Sequence, residues 1–249
     1  MGRKKREWPL FFLCLSAALY GLALIFSATR YEETLHGLVG KQAVALGGGV
    51  VLCLLLSVLD VRKLLEKLWW LLPVVNVGLL LLLVPLGNDD GTGNKSWISL
   101  PGGGFNLQPA EVVKISFLLL LALQLRKLGE KGLNRPKAVF LLLLHVLALC
   151  ALLYGVSGDI GMVAVYLAVY LVMLWSAGVH PLWLLGEVAA GVGAVVLLWP
   201  RLPEYVRMRF LVVFDHGLDP LGKGFQQERS LLAIGSGQVT GQGYLQGTQ

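Results

Sequence analysis

The chain has 249 residues, of which 56% are hydrophobic and only 14% charged, against about 25% charged in ordinary globular proteins. That balance excludes a water-soluble globule and fits a chain that crosses a membrane several times. The net charge of +6 does not point to nucleic acid, because the basic residues gather at the ends of apolar runs, where they act as orientation signals.

A helix needs about 20 apolar residues to cross a hydrocarbon layer of about 30 Å. The first candidate span covers residues 9–28, preceded by Arg3, Lys4, Lys5 and Arg6. These cations place the N-terminus in the cytoplasm. The run is too long, and lacks the small-residue cleavage site, for a removed signal peptide. The mixed-charge loop 29–40, with His36, falls outside. Span two covers 41–59, and its Gly47, Gly48 and Gly49 allow close helix approach. Segment 60–67 carries Arg62, Lys63 and Lys67 and is assigned to the cytoplasm. Trp69 and Trp70 then form an aromatic belt at the start of span three, 68–86, which contains Pro73 and Asn76.

Residues 87–108 form a polar, Gly-rich loop that alternation places outside. Span four, 109–125, opens on Pro109, which suits the first helical position because no N–H is needed there. The basic cluster 126–137 returns the chain to the cytoplasm. Span five is 138–156, with His145 inside it. Ser157–Gly158 make an outer turn, span six is 159–175, residues 177–181 turn inside, and span seven is 181–199. Segment 200–249 then lies outside and has no apolar run long enough to cross again. The expected fold class is all-α: a polytopic membrane helical bundle of about seven transmembrane helices in one domain, 1–249, ending in an extracellular loop segment, 200–249.

Cys14, Cys53 and Cys150 each sit within an apolar run, without CxxC spacing, and read as buried small hydrophobes. His36, His145, His180 and His216 lack ligand spacing, so no metal cage is expected. No Walker loop, zinc pattern or Ser-His-Asp set occurs; Gly102–Gly104 lack the following Gly-Lys-Ser/Thr. Asp219 precedes Pro220 and is bracketed by Arg207, Arg209, Lys223 and Arg229. A carboxylate among cations suits a general base beside an anion site; an Asx-type turn residue is the other reading. Glu111 and Lys114, at i and i+3 in span four, are either a surface ion pair or a functional pair. Asp159 suits the positive end of a helix, as a cap or as a charge on a polar path. Trp97, beside Lys95, can stack on a sugar ring or anchor at the interface.

Three motifs carry a resemblance. Gly93-Asn94-Lys95-Ser96-Trp97-Ile98 followed by Gln108-Pro109-Ala110-Glu111 and Lys114 is the first. Gly158-Asp159-Ile160-Gly161 is the second. The third runs from Arg207-Met208-Arg209-Phe210 to Asp219-Pro220-Leu221-Gly222, Gly224-Phe225-Gln226 and Ala233-Ile234-Gly235-Ser236-Gly237, closing on Gly247-Thr248-Gln249. In order and spacing they resemble the SEDS family (shape, elongation, division and sporulation; RodA, FtsW and SpoVE). Ser96 stands where that family usually has Arg, and Arg229 where it usually has Gln.

The resemblance implies a peptidoglycan glycosyltransferase that polymerises lipid II at the outer face of the bacterial plasma membrane with a class B penicillin-binding protein as partner. It implies that Asp219 is the catalytic aspartate and that a divalent cation, Mg or Mn, assists. Trp97, Lys95, Glu111, Lys114, Asp159, Arg207, Arg209, Lys223 and Gln226 are the candidate substrate-binding residues. Members typically have about ten spans, so the chain is expected to stop inside the large extracellular loop, C-terminally truncated. Two other readings stand beside the enzyme: a lipid II flippase using Glu111, Lys114 and Asp159, and an inactive scaffold for a penicillin-binding protein. The residues do not separate elongation, division and sporulation.

Overall fold

The computed structural model describes residues 8–30, 36–88, 94–100, 105–202, 204–215 and 223–247. They fall into two units, Arg62–Leu202 and the pair of segments Met1–Val61 and Pro203–Gln249.

The first unit begins with a short helix, α3 (Val61–Leu68), then α4 (Leu71–Leu81) and α5 (Leu83–Leu86). The expected third span is therefore broken. Pro73 lies in the first turn of α4, where its missing N–H costs nothing. Pro85 cannot donate to the carbonyl four residues back, and α4 ends there, at Leu81. The polar, Gly-rich segment 87–108 contributes a three-stranded antiparallel sheet: β1 (Gly87–Asn88), β2 (Trp97–Ser99) and β3 (Asn106–Leu107), in that order. Gly87 pairs with Ile98, and Ile98 with Leu107. A Cβ on Gly87 would lie 2.3 Å from the Leu83 carbonyl oxygen, so only glycine lets the strand leave α5 this closely.

Three long helices follow, α6 (Pro109–Gly129), α7 (Pro136–Ser157) and α8 (Ile160–Ser176), then α9 (Pro181–Leu198) and a single 3-10 turn, Trp199–Arg201. Pro109, Pro136 and Pro181 each occupy a first helical position. Gly158 ends α7 with φ 70°, and its N–H reaches the Tyr154 carbonyl at 2.8 Å. α8 ends in a Schellman motif. Gly178 (φ 84°) donates to the Trp175 carbonyl and Val179 to that of Leu174, and the side chains of Val179 and Leu174 are both buried in the core.

That core sits between α4, α6, α7 and α8, around Leu80, Val113, Phe117, Leu121, Leu142, Val146, Leu153 and Tyr166. Lipid supplies no hydrophobic drive between helices, so polar cross-links matter. The Ser116 hydroxyl donates to Asn76 Oδ1, linking α6 to α4. The Tyr166 hydroxyl donates to the Ala110 carbonyl at 2.7 Å, linking α8 to α6. His145 Nδ1 lies 2.8 Å from Gln124 Oε1, linking α7 to α6.

The second unit holds α1 (Trp8–Ala28) packed on α2 (His36–Val58), with α10 (Glu204–Phe214) and α11 (Lys223–Gly237). α1 buries none of its residues, leaving an apolar surface all round, as a lipid-facing helix does. The Leu245 amide donates to Ser27 Oγ at 2.8 Å, tying the end of the chain to α1. Segment 200–249, expected as loop, is thus helical over 204–214 and 223–237. α11 contains Gln227, Glu228, Leu231, Leu232 and Ala233, good helix formers with too little continuous apolar length to signal a span.

Among the described residues, four helices are long and apolar enough to cross a membrane, or five if the bent pair Val61–Leu68 and Leu71–Leu86 is one span. The other two expected spans correspond to α6, which carries Glu111, Lys114, Arg126 and Lys127 near its ends, and to α8, which has only 17 residues. The chain is an all-α, multi-pass membrane protein, and the small sheet is its departure from pure helix.

Candidate functional site

The site grows from the way β2 presents alternate side chains to opposite faces. Ser96 is 4% exposed and Ile98 packs on the helical core, while Lys95 and Ser99 are exposed and Trp97 is half-buried. Lys95 and Trp97 therefore share the outward face. Asn88 pairs with Trp97 across the sheet, and Asn88 Nδ2 donates to Ser99 Oγ at 2.9 Å. The Ser99 hydroxyl donates in turn to Asn106 Oδ1 at 3.1 Å.

The inward face is held by Asp159. As N-cap of α8 its Oδ1 accepts from the Met162 amide at 3.1 Å, which satisfies one of the open donors of that helix. Its Oδ2 accepts from Ser96 Oγ at 3.3 Å and from Gln108 Nε2 at 3.5 Å. Its own amide donates to Ser157 Oγ at 3.2 Å, and the Lys95 amide donates to the Ser157 carbonyl at 3.2 Å. The side-chain oxygen of Asn94 lies 3.6 Å from where a Cβ on Gly158 would be. One carboxylate thus fixes the hairpin, the start of α6 and the start of α8 together. The capping role expected of Asp159 is present. The hub formed with Ser96 and Gln108 was not foreseen, because those partners lie 63 and 51 residues away in sequence.

One turn into α6, Lys114 Nζ donates to Glu111 at 2.9 Å to Oε1 and 2.8 Å to Oε2. Glu111 stands in the first turn, favoured by the helix dipole. The pair is the one expected, with Glu111 more than half exposed and Lys114 mostly covered.

In the other unit, Arg207 lies on α10 and its Nε is buried with no hydrogen-bond partner among the described residues. Asp219 lies outside the described residues. Arg209, Lys223 and Gln226 belong to α10 and α11 by backbone, and their side chains lie outside what is described. Among the described residues no group of three or more His, Cys, Asp or Glu gathers as a metal site would.

Sequence reading passed over Glu187 altogether. It lies inside α9, where the Tyr170 hydroxyl donates to its Oε1 at 3.1 Å, and its Oε2 is buried without a partner among the described residues. The signal was available, since an ionisable residue inside a span is rare and normally partnered.

Comparisons with known proteins agree with this architecture. Residues 8–249 match the model of the FtsW/RodA/SpoVE family, described as cell cycle protein. The "Probable peptidoglycan glycosyltransferase FtsW" of Geobacter metallireducens is 30% identical over 98% of this chain and 66% of the relative. Its namesake in Alcanivorax borkumensis is 30% identical over 94% of this chain and 62% of its own length. Among solved structures, a chain from a peptidoglycan synthase complex, described as coordinating polymerization and crosslinking, is 30% identical with a TM-score of 0.73, covering 93% of this chain and 66% of its own. The rod shape determining protein RodA of Thermus thermophilus gives 27% and 0.60, covering 78% of this chain and 60% of that one. The chain thus spans just under two thirds of the length of these relatives. With its helical order and a match running from Trp8 to Gln249, the chain belongs to the FtsW/RodA/SpoVE family of cell cycle proteins.

Proposed function

We propose that the chain acts as a peptidoglycan glycosyltransferase that polymerises lipid II at the outer face of the bacterial inner membrane. The observation that carries the reading is the family match over residues 8–249, with the Asp219-Pro220-Leu221-Gly222 segment inside it. The relatives named as glycosyltransferases support it.

In this reading Asp219 takes the proton from an acceptor sugar hydroxyl as that oxygen bonds to the anomeric carbon of the donor. The bond from that carbon to undecaprenyl diphosphate breaks, and the diphosphate leaves with the electron pair. Arg207, Arg209 and Lys223 hold its charge. The buried Nε of Arg207, which has no partner among the described residues, supports this role, since a buried donor left unpaired costs about 1–3 kcal/mol and an anion would satisfy it. Trp97, Lys95 and the Glu111–Lys114 pair are the proposed glycan contacts around the hairpin, and Gln226 is a further proposed substrate-binding residue. Asp159 acts through Ser96 and Gln108 as a positioning residue rather than touching substrate. A divalent cation, Mg or Mn, would add screening for the diphosphate. A class B penicillin-binding protein that crosslinks the glycan is the proposed partner, and the N-terminus is proposed to be cytoplasmic with 200–249 outside.

The flippase reading relied on Glu111, Lys114 and Asp159 as charges on a polar path. Lys114 and Glu111 neutralise each other and Asp159 accepts three hydrogen bonds, so neither supports it. The separating experiment supplies labelled lipid II to the purified protein. Polymer that disappears in Asp219→Ala supports the enzyme; translocation without polymer, insensitive to Asp219→Ala and lost in Lys114→Ala, would overturn it; neither activity would leave the scaffold.

A further inference from the structure

We propose that the basic end of α3 and α6 binds the phosphate headgroup of an anionic phospholipid. In α3, Val61, Leu64, Leu65 and Leu68 recur at i, i+3, i+4 and i+7, a single apolar stripe, and charged residues fill the opposite face. The stripe is not used up by packing, since Leu64 remains 48% exposed. At Trp69–Trp70 the chain turns by 80° into the helix pair 71–86. A short amphipathic helix set across the axis of a membrane helix is the geometry of an element lying in the interface. Trp69 and Trp70 are both largely exposed, and indoles favour the headgroup level.

Arg126 and Lys127 line a recess together with Glu66 and Glu130, and the flanking segments supply the positive excess. Glu66 Oε1 accepts from Arg126 Nη1 of α6 at 2.7 Å and from Arg62 Nε at 3.2 Å. One carboxylate therefore holds two guanidinium groups and fixes Arg126 against α3. Lys127 Nζ sits 4.6 Å from the centroid of the Trp69 ring and has no carboxylate partner among the described residues. Between them lies a recess of about 250 Å³, lined by Glu66, Trp69, Leu123, Arg126, Lys127 and Glu130. Segments 62–67 and 126–137 carry eight cations and two acids between them, so the surroundings stay strongly positive.

A phosphate fits this chemistry, with Arg126 and Lys127 as donors and Trp69 as a wall. A lipid is the source favoured over a free anion. Leu123 lines the recess and offers an acyl chain an apolar contact, at a depth set by the interfacial helix. Basic recesses between membrane helices commonly hold such headgroups. The inference is independent of the glycosyltransferase reading.

The test is native mass spectrometry of the purified chain with phosphatidylglycerol or phosphatidylcholine of the same acyl chains. Phosphatidylglycerol is expected to be retained in preference. Lys127→Gln, a change at an exposed side chain, should weaken it about five-fold, the effect of one cation near a lipid surface. Lys127→Arg should restore it, and Arg201→Gln, which removes the same charge beyond the far end of α9, should leave it unchanged. Each variant is first matched to the parent by thermal melting. Equal retention of phosphatidylcholine, an equal loss with Arg201→Gln, or displacement by inorganic phosphate at the lipid's own concentration would each overturn the proposal.

Discussion

Asp159 and Glu66 stand near opposite ends of α6, and each draws donors from distant segments, but in different surroundings. Asp159 is partly buried and its partners are neutral: a backbone amide, the hydroxyl of the buried Ser96 and an amide side chain. Glu66 is exposed and its partners are two cations. A buried acceptor that satisfies buried donors fixes geometry, because losing it leaves those donors without water. An exposed ion pair is screened and contributes little to stability. The Asp159 end is thus built as a rigid platform, and the basic end as an adaptable, charged surface.

Replacing Asp159 by Ala should have the largest effect. It removes the cap of α8 and strands Ser96, for a loss of roughly 2–4 kcal/mol, read as a lowered thermal midpoint in detergent. Asp159→Asn keeps an acceptor and should recover much of it. Next comes Gly158→Ala, which forces a side chain to φ 70° at a cost of about 1–2 kcal/mol. Tyr166→Phe removes one hydrogen bond to the Ala110 carbonyl and should cost about 0.5–1.5 kcal/mol.

The smallest effect belongs to Glu66→Gln, expected to leave the melting point unchanged while raising hydrogen exchange in α3. Acidification should act the same way. Hydrogen bonds from Arg126 and then Arg62 hold the Glu66 carboxyl below the ordinary carboxylate range. The clamp is therefore fully present above the ordinary carboxylate pKa and is lost as pH falls through the lowered one. Exchange in α3 that stays flat across that window, or a melting loss for Glu66→Gln as large as for Asp159→Ala, would erase the contrast between the two ends.

Much of this arrangement is legible in the chain. The Leu-rich runs and the prolines at 109, 136 and 181 mark helix starts because proline fits only the first turn. The hairpin is not legible, because strands of two or three residues among glycines carry no period to read. α3 has a clear helical stripe but sits in a basic segment that charge alone assigns to a loop. Segment 223–237 lacks the apolar length of a span, which hides a good helix. The cap at Asp159 follows from its place before Ile160, whereas its bonds to Ser96 and Gln108 need the folded chain. Glu187 was overlooked because one acid hardly alters an apolar run, although its rarity there was the clue.

The most direct measurement is lipid II polymerisation by Asp219→Ala, Asp159→Ala and Lys127→Gln in parallel, in this chain and in a fusion to the C-terminal part of a full-length relative. The account predicts no polymer from Asp219→Ala, a reduced rate from Asp159→Ala and the parent rate from Lys127→Gln. Polymer made at the parent rate by Asp219→Ala would contradict it.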